Sequence, residues 1–219
     1  ALLRIHDKNG NFISPAEAIP ILEESGLIIP VGKWIIQNAF SMCTECRKYY
    51  PEFRVSINLS YVQILKSPLM MELKQIIEHS GISCSGIIVE LTESGYLEGT
   101  PAVRSVWNDM KQLRIQIALD DFGTGYSNLM NISNLEPDIV KLDRGFTLKA
   151  LSRSYEYQLM QYVIEMVHKL NQYVCVEGVE TKEDLEKIKA LGPDLIQGYY
   201  YSKPCSRDEF LKKFFGYSE

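Results

Sequence analysis

Six short apolar runs, each followed by a polar residue, limit the folds that are open to this sequence. They lie at Phe53–Ile57, Gly86–Val89, Ile115–Leu119, Asp138–Val140, Tyr173–Val176 and Asp194–Ile196. Short runs rich in isoleucine and valine, with turn residues on either side, are typical of buried strands. We therefore predict strands at these positions, and a further strand at Ala1–Ile5.

Amphipathic helical patterns fill the intervals between the runs. They cover Val31–Tyr50, Leu69–Ser80, Pro101–Leu113, Tyr155–Leu170, Thr181–Leu191 and Arg207–Phe215. Two helix starts are marked, one by Pro15 after Ser14 and one by Thr181 with Asp184 in the spacing of a capping box. Strand and helix alternate at the spacing of βαβ units, and strands this apolar need helices on both faces of a parallel sheet.

The residues that end the strands decide between two α/β architectures. They carry oxygen or amine groups and are Asn58, Glu90, Asp120 with Asp121, Lys141, Glu177 and Gln197. In an open doubly wound sheet these groups would be spread over a line at roughly 5 Å per strand. A closed barrel brings all the strand ends to one point, so we predict a TIM-like (β/α) barrel. Because such a barrel has eight strands, the seven predicted strands imply that the first strand is absent from the given chain.

The adjacent acids Asp120 and Asp121 carry the clearest chemical signal. They end an apolar run and precede Gly123-Thr124-Gly125. Two like charges at the end of a buried strand are costly unless a positive charge lies beside them. Divalent cations are the usual partner, and adjacent acids that share two cations suit phosphoryl transfer. Taken alone, the segment also fits an acidic turn with Asp121 as a helix cap, but the repeated polar strand ends favour the metal interpretation.

Bulk properties exclude several classes of function. No apolar run approaches the ~18 residues of a membrane span, so we expect no membrane contact by this domain. The net charge of −5 argues against polymeric nucleic acid as a partner but is compatible with a small anionic ligand beside metal ions. Five cysteines without a regular framework indicate a reducing, cytoplasmic setting. The C-x-x-C pair Cys43 and Cys46 lies in a helical pattern, and we interpret both as structural thiols.

A series of segments, in order along the whole chain, resembles the EAL-domain phosphodiesterases of cyclic di-GMP signalling. The segments are Ala1–Arg4, Ile13–Ile28, Asn58–Ser60, Glu90–Ser94, Asp120–Ser127, Lys141–Arg144, Glu177–Glu180 and Gln197–Tyr199. The first of them resembles the end of the Glu-Ala-Leu-x-Arg signature. Each segment is a weak signal by itself, but their shared order makes a chance match negligible.

The resemblance implies metal-dependent hydrolysis of cyclic di-GMP to the linear dinucleotide, with two ions of Mg²⁺ or Mn²⁺. Metal ligands would be Asn58, Glu90, Asp120 and Asp121, and ligand contacts would come from Leu2, Arg4, Asn58 and Gln197. Glu177 would act near the attacking water, and Lys141 would hold that water or a phosphate oxygen. Glu93 would anchor the loop at 122–127, while Asp143 and Glu180 would support the site.

One departure from the family pattern concerns the start of the chain. The signature glutamate would immediately precede Ala1, and the strand before it is absent too, in agreement with the strand count. We therefore expect residues 1–219 to be an N-terminally incomplete EAL phosphodiesterase domain of a longer protein. The resemblance further suggests an upstream sensory or GGDEF domain and a homodimer.

Two alternatives to the phosphodiesterase remain open. The chain fits a non-catalytic cyclic di-GMP receptor, although the retained carboxylates argue against that interpretation. It also fits another metal-dependent barrel enzyme, such as an enolase-like or sugar-processing one. The paired Asp120 and Asp121, followed by the Gly-Thr-Gly loop, argue against this second alternative.

Overall fold

The structure is a computed structural model that describes residues 1–92, 100–124, 132 and 135–216. The chain forms two compact units, which are described separately. The first comprises residues 1–90, 98–116 and 207–219, and the second comprises residues 91–97 and 117–206. Among the described residues, no helix combines the length and the apolar character that a membrane crossing requires.

The elements follow one another in the alternating order that the sequence predicts. The strands are β1 (Ile5–His6), β2 (Phe12–Ile13), β3 (Val55–Asn58), β4 (Ile87–Thr92), β5 (Gln116–Phe122), β6 (Ile139–Leu142), β7 (Tyr173–Glu177) and β8 (Leu195–Gln197). The helices are α1 (Pro15–Glu24), α2 (Ile28–Cys46), α3 (Tyr61–Lys66), α4 (Leu69–Ser80), α5 (Pro101–Gln112), α6 (Arg144–Ser152), α7 (Ser154–Lys169), α8 (Lys182–Lys189) and α9 (Arg207–Phe215). A 3₁₀ turn, Cys84–Gly86, precedes β4.

The chain start differs from the predicted strand at Ala1–Ile5. Residues 1–4 lie outside any strand, and β1 pairs antiparallel with β2 in a short hairpin. The hairpin turn is stabilised by Asp7, whose Oδ1 accepts hydrogen bonds from the backbone N–H of Asn9 and Asn11, each at 2.8 Å. This local turn returns the chain upon itself, so the predicted strand is wrong apart from Ile5.

In the first unit, β3 and β4 are parallel, and their register pairs Val55 with Ile87 and Asn58 with Glu90. Helix α2 packs against β3, α3 and α4, and its buried face includes the fully shielded Phe40. Helix α3 is an addition to the predicted elements. It begins at a capping box in which the Ser60 hydroxyl accepts from the backbone of the first turn and the Gln63 side chain accepts from the Ser60 N–H.

In the second unit, β5, β6, β7 and β8 are parallel neighbours in that order. Helices α6 and α7 pack against β7. The strands are apolar on both sides, as parallel strands covered by helices should be, and Leu119, Val140 and Val176 are fully buried. Helix α6, which the sequence patterns did not predict, begins directly after Asp143, whose carboxylate caps it.

Candidate active site at the strand ends

The strands of the second unit bring three predicted site residues together. Lys141 is in β6, between Asp120 of β5 and Glu177 of β7. Its Nζ lies 3.0 Å from Asp120 Oδ1 and 2.7 Å from Glu177 Oε1. The sequence predicted these residues at the ends of strands that converge in a barrel, and the structure joins them in one ion-pair cluster on neighbouring strands.

The cluster is largely shielded from water. The side chain of Lys141 is 6% exposed, that of Asp120 12% and that of Glu177 16%. Charges in such surroundings interact more strongly than at the surface, but their desolvation is also costly. One ammonium group beside two carboxylates leaves the trio with a formal charge of −1, which favours a further cation nearby.

Asp121 has a backbone conformation that accompanies an irregularity in the pairing of β5 with β6. Its φ is +60°, and the register between β5 and β6 shifts between Leu119 and Phe122. The backbone N–H of Asp121 donates to Asp120 Oδ1 at 3.0 Å. Asp120 is buried and its carboxylate is oriented by this hydrogen bond, whereas Asp121 is exposed. Aspartate is among the few residue types that adopt a positive φ at moderate cost.

A turn that begins at Gly178 follows Glu177 and depends on glycine. Gly178 has φ +81°, and a Cβ at this position would lie 2.3 Å from Cγ of Arg144. The Arg144 guanidinium continues over the turn and donates to Glu180 Oε1 at 2.8 Å. The hydrogen bond that Arg144 donates to Glu180, together with the negative charge of Glu180, raises the pKa of Arg144 above its usual range. Sequence reasoning assigned Arg144 no role, although it belongs to the Lys141–Arg144 segment.

The end of β8 is joined to the same turn. Gln197 pairs in register with Glu177, and its carbonyl accepts from the backbone N–H of Val179 at 3.3 Å. Gly198 packs so closely that a Cβ there would lie 2.0 Å from the Val179 carbonyl oxygen. Asp143, another predicted site residue, accepts from the Gly145 N–H at 2.7 Å as the cap of α6.

The remaining predicted site residues belong to the first unit. Asn58, the last residue of β3, is the register partner of Glu90, which lies within β4, and Asn58 is exposed whereas Glu90 is buried. Arg4 lies over the ring of Phe12 at 5.9 Å from its centroid, and Leu2 is 58% exposed. Glu93 and residues 125–127 of the predicted loop lie outside the described residues.

The donor chemistry of the second unit suits a hard cation. Asp120 and Asp121 bring consecutive carboxylates to the end of β5, and oxygen donors are what Mg²⁺ and Mn²⁺ prefer. Within the described ranges, no group of three or more His, Cys, Asp or Glu side chains is gathered so as to hold a metal ion by itself. Of the residues in this unit, Asp120 and Asp121 are the two that could hold a metal at the end of β5.

Comparison with known proteins identifies the family. A model of the EAL domain matches residues 1–204, and the chain belongs to the EAL domain family. The cyclic di-GMP phosphodiesterase PdeF of Escherichia coli K12 is 32% identical over 203 residues, which are 93% of this chain and 27% of PdeF. The chain spans between 24% and 31% of the length of the first three curated relatives that it matches.

Solved structures confirm the predicted fold class. The EAL enzyme Bd1971 in its cAMP- and cyclic di-GMP-bound form is 30% identical, with a TM-score of 0.91 over 97% of this chain and 58% of that one. The PaMucR phosphodiesterase in complex with cyclic di-GMP is 26% identical, with a TM-score of 0.88 over 96% of this chain and 85% of that one.

Two more distant structures share the fold. They are complexes of Klebsiella pneumoniae BlrP1 with cyclic di-GMP and either calcium or manganese, 23% and 22% identical, with TM-scores of 0.79 and 0.72. Each alignment covers 92% of this chain and 50% of the BlrP1 chain.

Proposed function

We propose that this chain hydrolyses cyclic di-GMP to the linear dinucleotide and that the reaction depends on Mg²⁺ or Mn²⁺. The observation that carries the proposal is the ion-pair cluster at adjacent strand ends, with Lys141 Nζ at 3.0 Å from Asp120 and 2.7 Å from Glu177. Membership of the EAL domain family and the similarity to cyclic di-GMP phosphodiesterases support the choice of substrate.

The side chains of the cluster have separate roles in this proposal. Water attacks one phosphorus atom, the bond from that phosphorus to one ribose oxygen breaks, and the released ribose oxygen takes up a proton from solvent water to give the hydroxyl of the linear dinucleotide. The Glu177 carboxylate accepts the proton of the attacking water, and Lys141 stabilises the charge that develops on the phosphate oxygens. Because Lys141 lies in a shielded setting, its charge interacts more strongly than it would in water.

Metal binding completes the proposal. Asp120 and Asp121 of the second unit would hold the ion, and metal-binding roles are also assigned to Asn58 and Glu90 of the first unit. A bound Mg²⁺ or Mn²⁺ would supply Lewis-acid stabilisation of the phosphate and a lower pKa for its bound water. Leu2, Arg4 and Gln197 keep their proposed role in contacting the nucleotide, and Asp143 and Glu180 keep their supporting role.

The test is hydrolysis of cyclic di-GMP by the purified protein with Mn²⁺, with Mg²⁺ and with EDTA, with products separated by chromatography. We expect the linear dinucleotide to form only with added metal. Glu177→Gln should lower kcat about 100-fold or more while cyclic di-GMP still binds, because the variant keeps the shape but loses the base. Glu183→Gln, a change on the exposed face of α8, is the matched control and should leave kcat unchanged.

Each result separates the proposal from its alternatives. Binding of cyclic di-GMP without hydrolysis under any metal condition would favour the receptor interpretation. Absence of both binding and hydrolysis would contradict the proposed substrate. Hydrolysis that persists in EDTA at the full rate would contradict the proposed metal dependence.

A further inference from the structure

We propose that Arg144 is a positioning residue that holds the turn after Glu177 and thereby sets the rate of the reaction. This inference rests on the proposed function, since it concerns the same site. Arg144 is the first residue of α6, three positions after Lys141. It therefore extends from the start of the helix that follows the Lys141 strand to the turn that follows Glu177.

The stem of Arg144 makes the first of two contacts with this turn. Gly178 presents its bare backbone to Arg144, and a Cβ on Gly178 would lie 2.3 Å from Cγ, 2.9 Å from Cβ and 3.1 Å from Cα of Arg144. Such closeness requires glycine at 178, and its φ of +81° is a conformation that glycine adopts far more readily than other residues. The aliphatic part of Arg144 thus covers the backbone directly after Glu177.

The guanidinium makes the second contact. Nη2 of Arg144 lies 2.8 Å from Glu180 Oε1. The guanidinium therefore contacts the turn at Glu180, and the aliphatic stem contacts it at Gly178. The side chains of Arg144 and Glu180 are 58% and 39% exposed, and ion pairs at such exposure add little to global stability. The two contacts together restrict the local backbone that carries Glu177 without stabilising the whole fold appreciably.

Precise placement of Glu177 is what this restriction provides. Glu177 Oε1 is 2.7 Å from Lys141 Nζ, and a small displacement of a reacting group can lower a rate by up to about 100-fold. Loss of the Arg144 contacts should therefore lower kcat more than it changes KM, because the turn bears the base.

The experiment compares Arg144→Ala, Arg144→Met and Arg144→Lys. Arg153→Ala is the matched control, because it also removes an arginine that forms an ion pair. The Arg153 side chain is 68% exposed, and its guanidinium lies 3.1 Å from the carboxylate of Glu156, three residues further along the chain. We measure kcat and KM for cyclic di-GMP, the melting temperature, and amide hydrogen exchange in a peptide that covers residues 176–181. Hydrogen exchange measures the local opening of this backbone segment directly and does not require that the protein be catalytically active.

We expect Arg144→Ala to lower kcat about tenfold, to change KM less than about threefold and to accelerate exchange in residues 176–181. Arg144→Met keeps the aliphatic stem, so its kcat and its exchange rate should lie between those of Arg144→Ala and the unaltered protein. Arg144→Lys keeps the stem and a positive charge and should recover most of kcat. The melting temperature should fall by at most about 4 °C, and Arg153→Ala should match the unaltered protein in every readout.

The outcomes separate this inference from the proposed function. Unchanged exchange in residues 176–181 for Arg144→Ala would overturn the positioning role, whatever the activity. Faster exchange with unchanged kcat in an active protein would overturn the link to the rate. If the unaltered protein hydrolyses nothing, the proposed function fails, and the exchange result still decides whether Arg144 holds the turn. If Arg144→Ala does not fold, Arg144→Met supplies the same comparison.

Discussion

In the second unit, Lys141 Nζ lies 2.7 Å from Glu177 Oε1, and both side chains are largely shielded from water. The same ammonium group is 3.0 Å from Asp120 Oδ1, so one buried cation offsets two carboxylates. Removal of one partner from a buried ion pair is more destabilising than replacement of the whole pair, because it leaves charge without compensation. Lys141 should therefore contribute to both stability and catalysis.

The first prediction concerns Lys141→Met, which keeps much of the side-chain volume but removes the charge. We expect the free energy of unfolding to fall by about 3 kcal/mol and kcat to fall about 100-fold or more. Denaturant unfolding and kcat measure the two effects. Lys149→Met, on the exposed side of α6, is the control and should change neither. Equal stability of the two variants would mean that Lys141 does not compensate its carboxylate neighbours.

The second prediction concerns metal binding by Asp121. Asp121→Asn should leave the fold intact, because asparagine also tolerates the φ of +60° at this position. Metal that binds the folded protein at a concentration of 100 times Kd stabilises it by about 2.7 kcal/mol, and the variant should lose most of this gain. The measurement is the rise in melting temperature with added Mn²⁺, with exposed Asp208→Asn as the control. An equal Mn²⁺-induced rise in both variants would contradict a metal role for Asp121.

Strand positions were predictable because burial on both faces leaves a plain signal in the sequence. The apolar run Tyr173–Val176 predicted β7, and the polar residue that follows it, Glu177, is the last residue of this strand. In the structure, Glu177 Oε1 lies 2.7 Å from Lys141 Nζ on the neighbouring strand. The β5 prediction ended too early, since the strand continues through Asp120 and Asp121 to Phe122. Acidic residues inside a strand carry no strand signal of their own, and here a bulge accommodates them.

Contacts that depend on unusual backbone geometry were not predictable. The role of Arg144 requires the positive φ of Gly178, and no pattern of residue types shows which side chain will cover a glycine. The start of the chain was mispredicted because the turn formed by Asp7 competes with strand formation, and apolar residues alone do not reveal such a turn. Helix α6 was missed because Asp143 was interpreted as a site residue, whereas its carboxylate also caps this helix.

The third prediction concerns two aspartates that make the same pair of bonds at strand starts. Asp138 accepts from the Ile117 N–H at 2.8 Å and donates its own N–H to the Ile117 carbonyl at 2.9 Å. Asp194 accepts from the Val174 N–H at 2.8 Å and donates to the Val174 carbonyl at 3.1 Å. Both follow a proline, and both join neighbouring strands at the end opposite Lys141.

Asp138→Ala and Asp194→Ala should each destabilise the protein by about 1–3 kcal/mol, because a strand N–H loses its charged acceptor. The kcat per folded molecule should stay unchanged, since these residues lie at the other ends of the strands. Denaturant unfolding and kcat measured on the same samples test both statements, with Asp208→Ala as the exposed control. A variant that loses kcat while keeping its stability would contradict the purely structural role.

The fourth prediction concerns pH and the buried thiols of α2. Cys43 and Cys46 are fully buried, as expected of structural thiols in a helix. Burial raises the pKa of Cys46 to about 11, with smaller contributions from Cys43 and Glu45, and burial likewise raises the pKa of Cys43. In the unfolded chain the thiol ionises near its ordinary value of 9.0. Between these values the unfolded state has lost the proton and the folded state still holds it, so stability falls as the pH rises from about 9 to about 11.

Comparison of variants isolates this effect from the lysines and tyrosines that ionise in the same range. Denaturant unfolding should show the free energy of unfolding of Cys46→Ala falling less steeply above pH 9, with a difference in slope that sums to roughly 2–3 kcal/mol by pH 11. Cys205→Ala removes an exposed thiol and should retain the slope of the unaltered protein. In parallel, a thiol reagent at pH 8 should label Cys205 in the folded protein and reach Cys46 only after denaturant is added. Equal slopes for the two variants, or rapid labelling of Cys46 in the folded state, would mean that the folded protein does not shield this thiol.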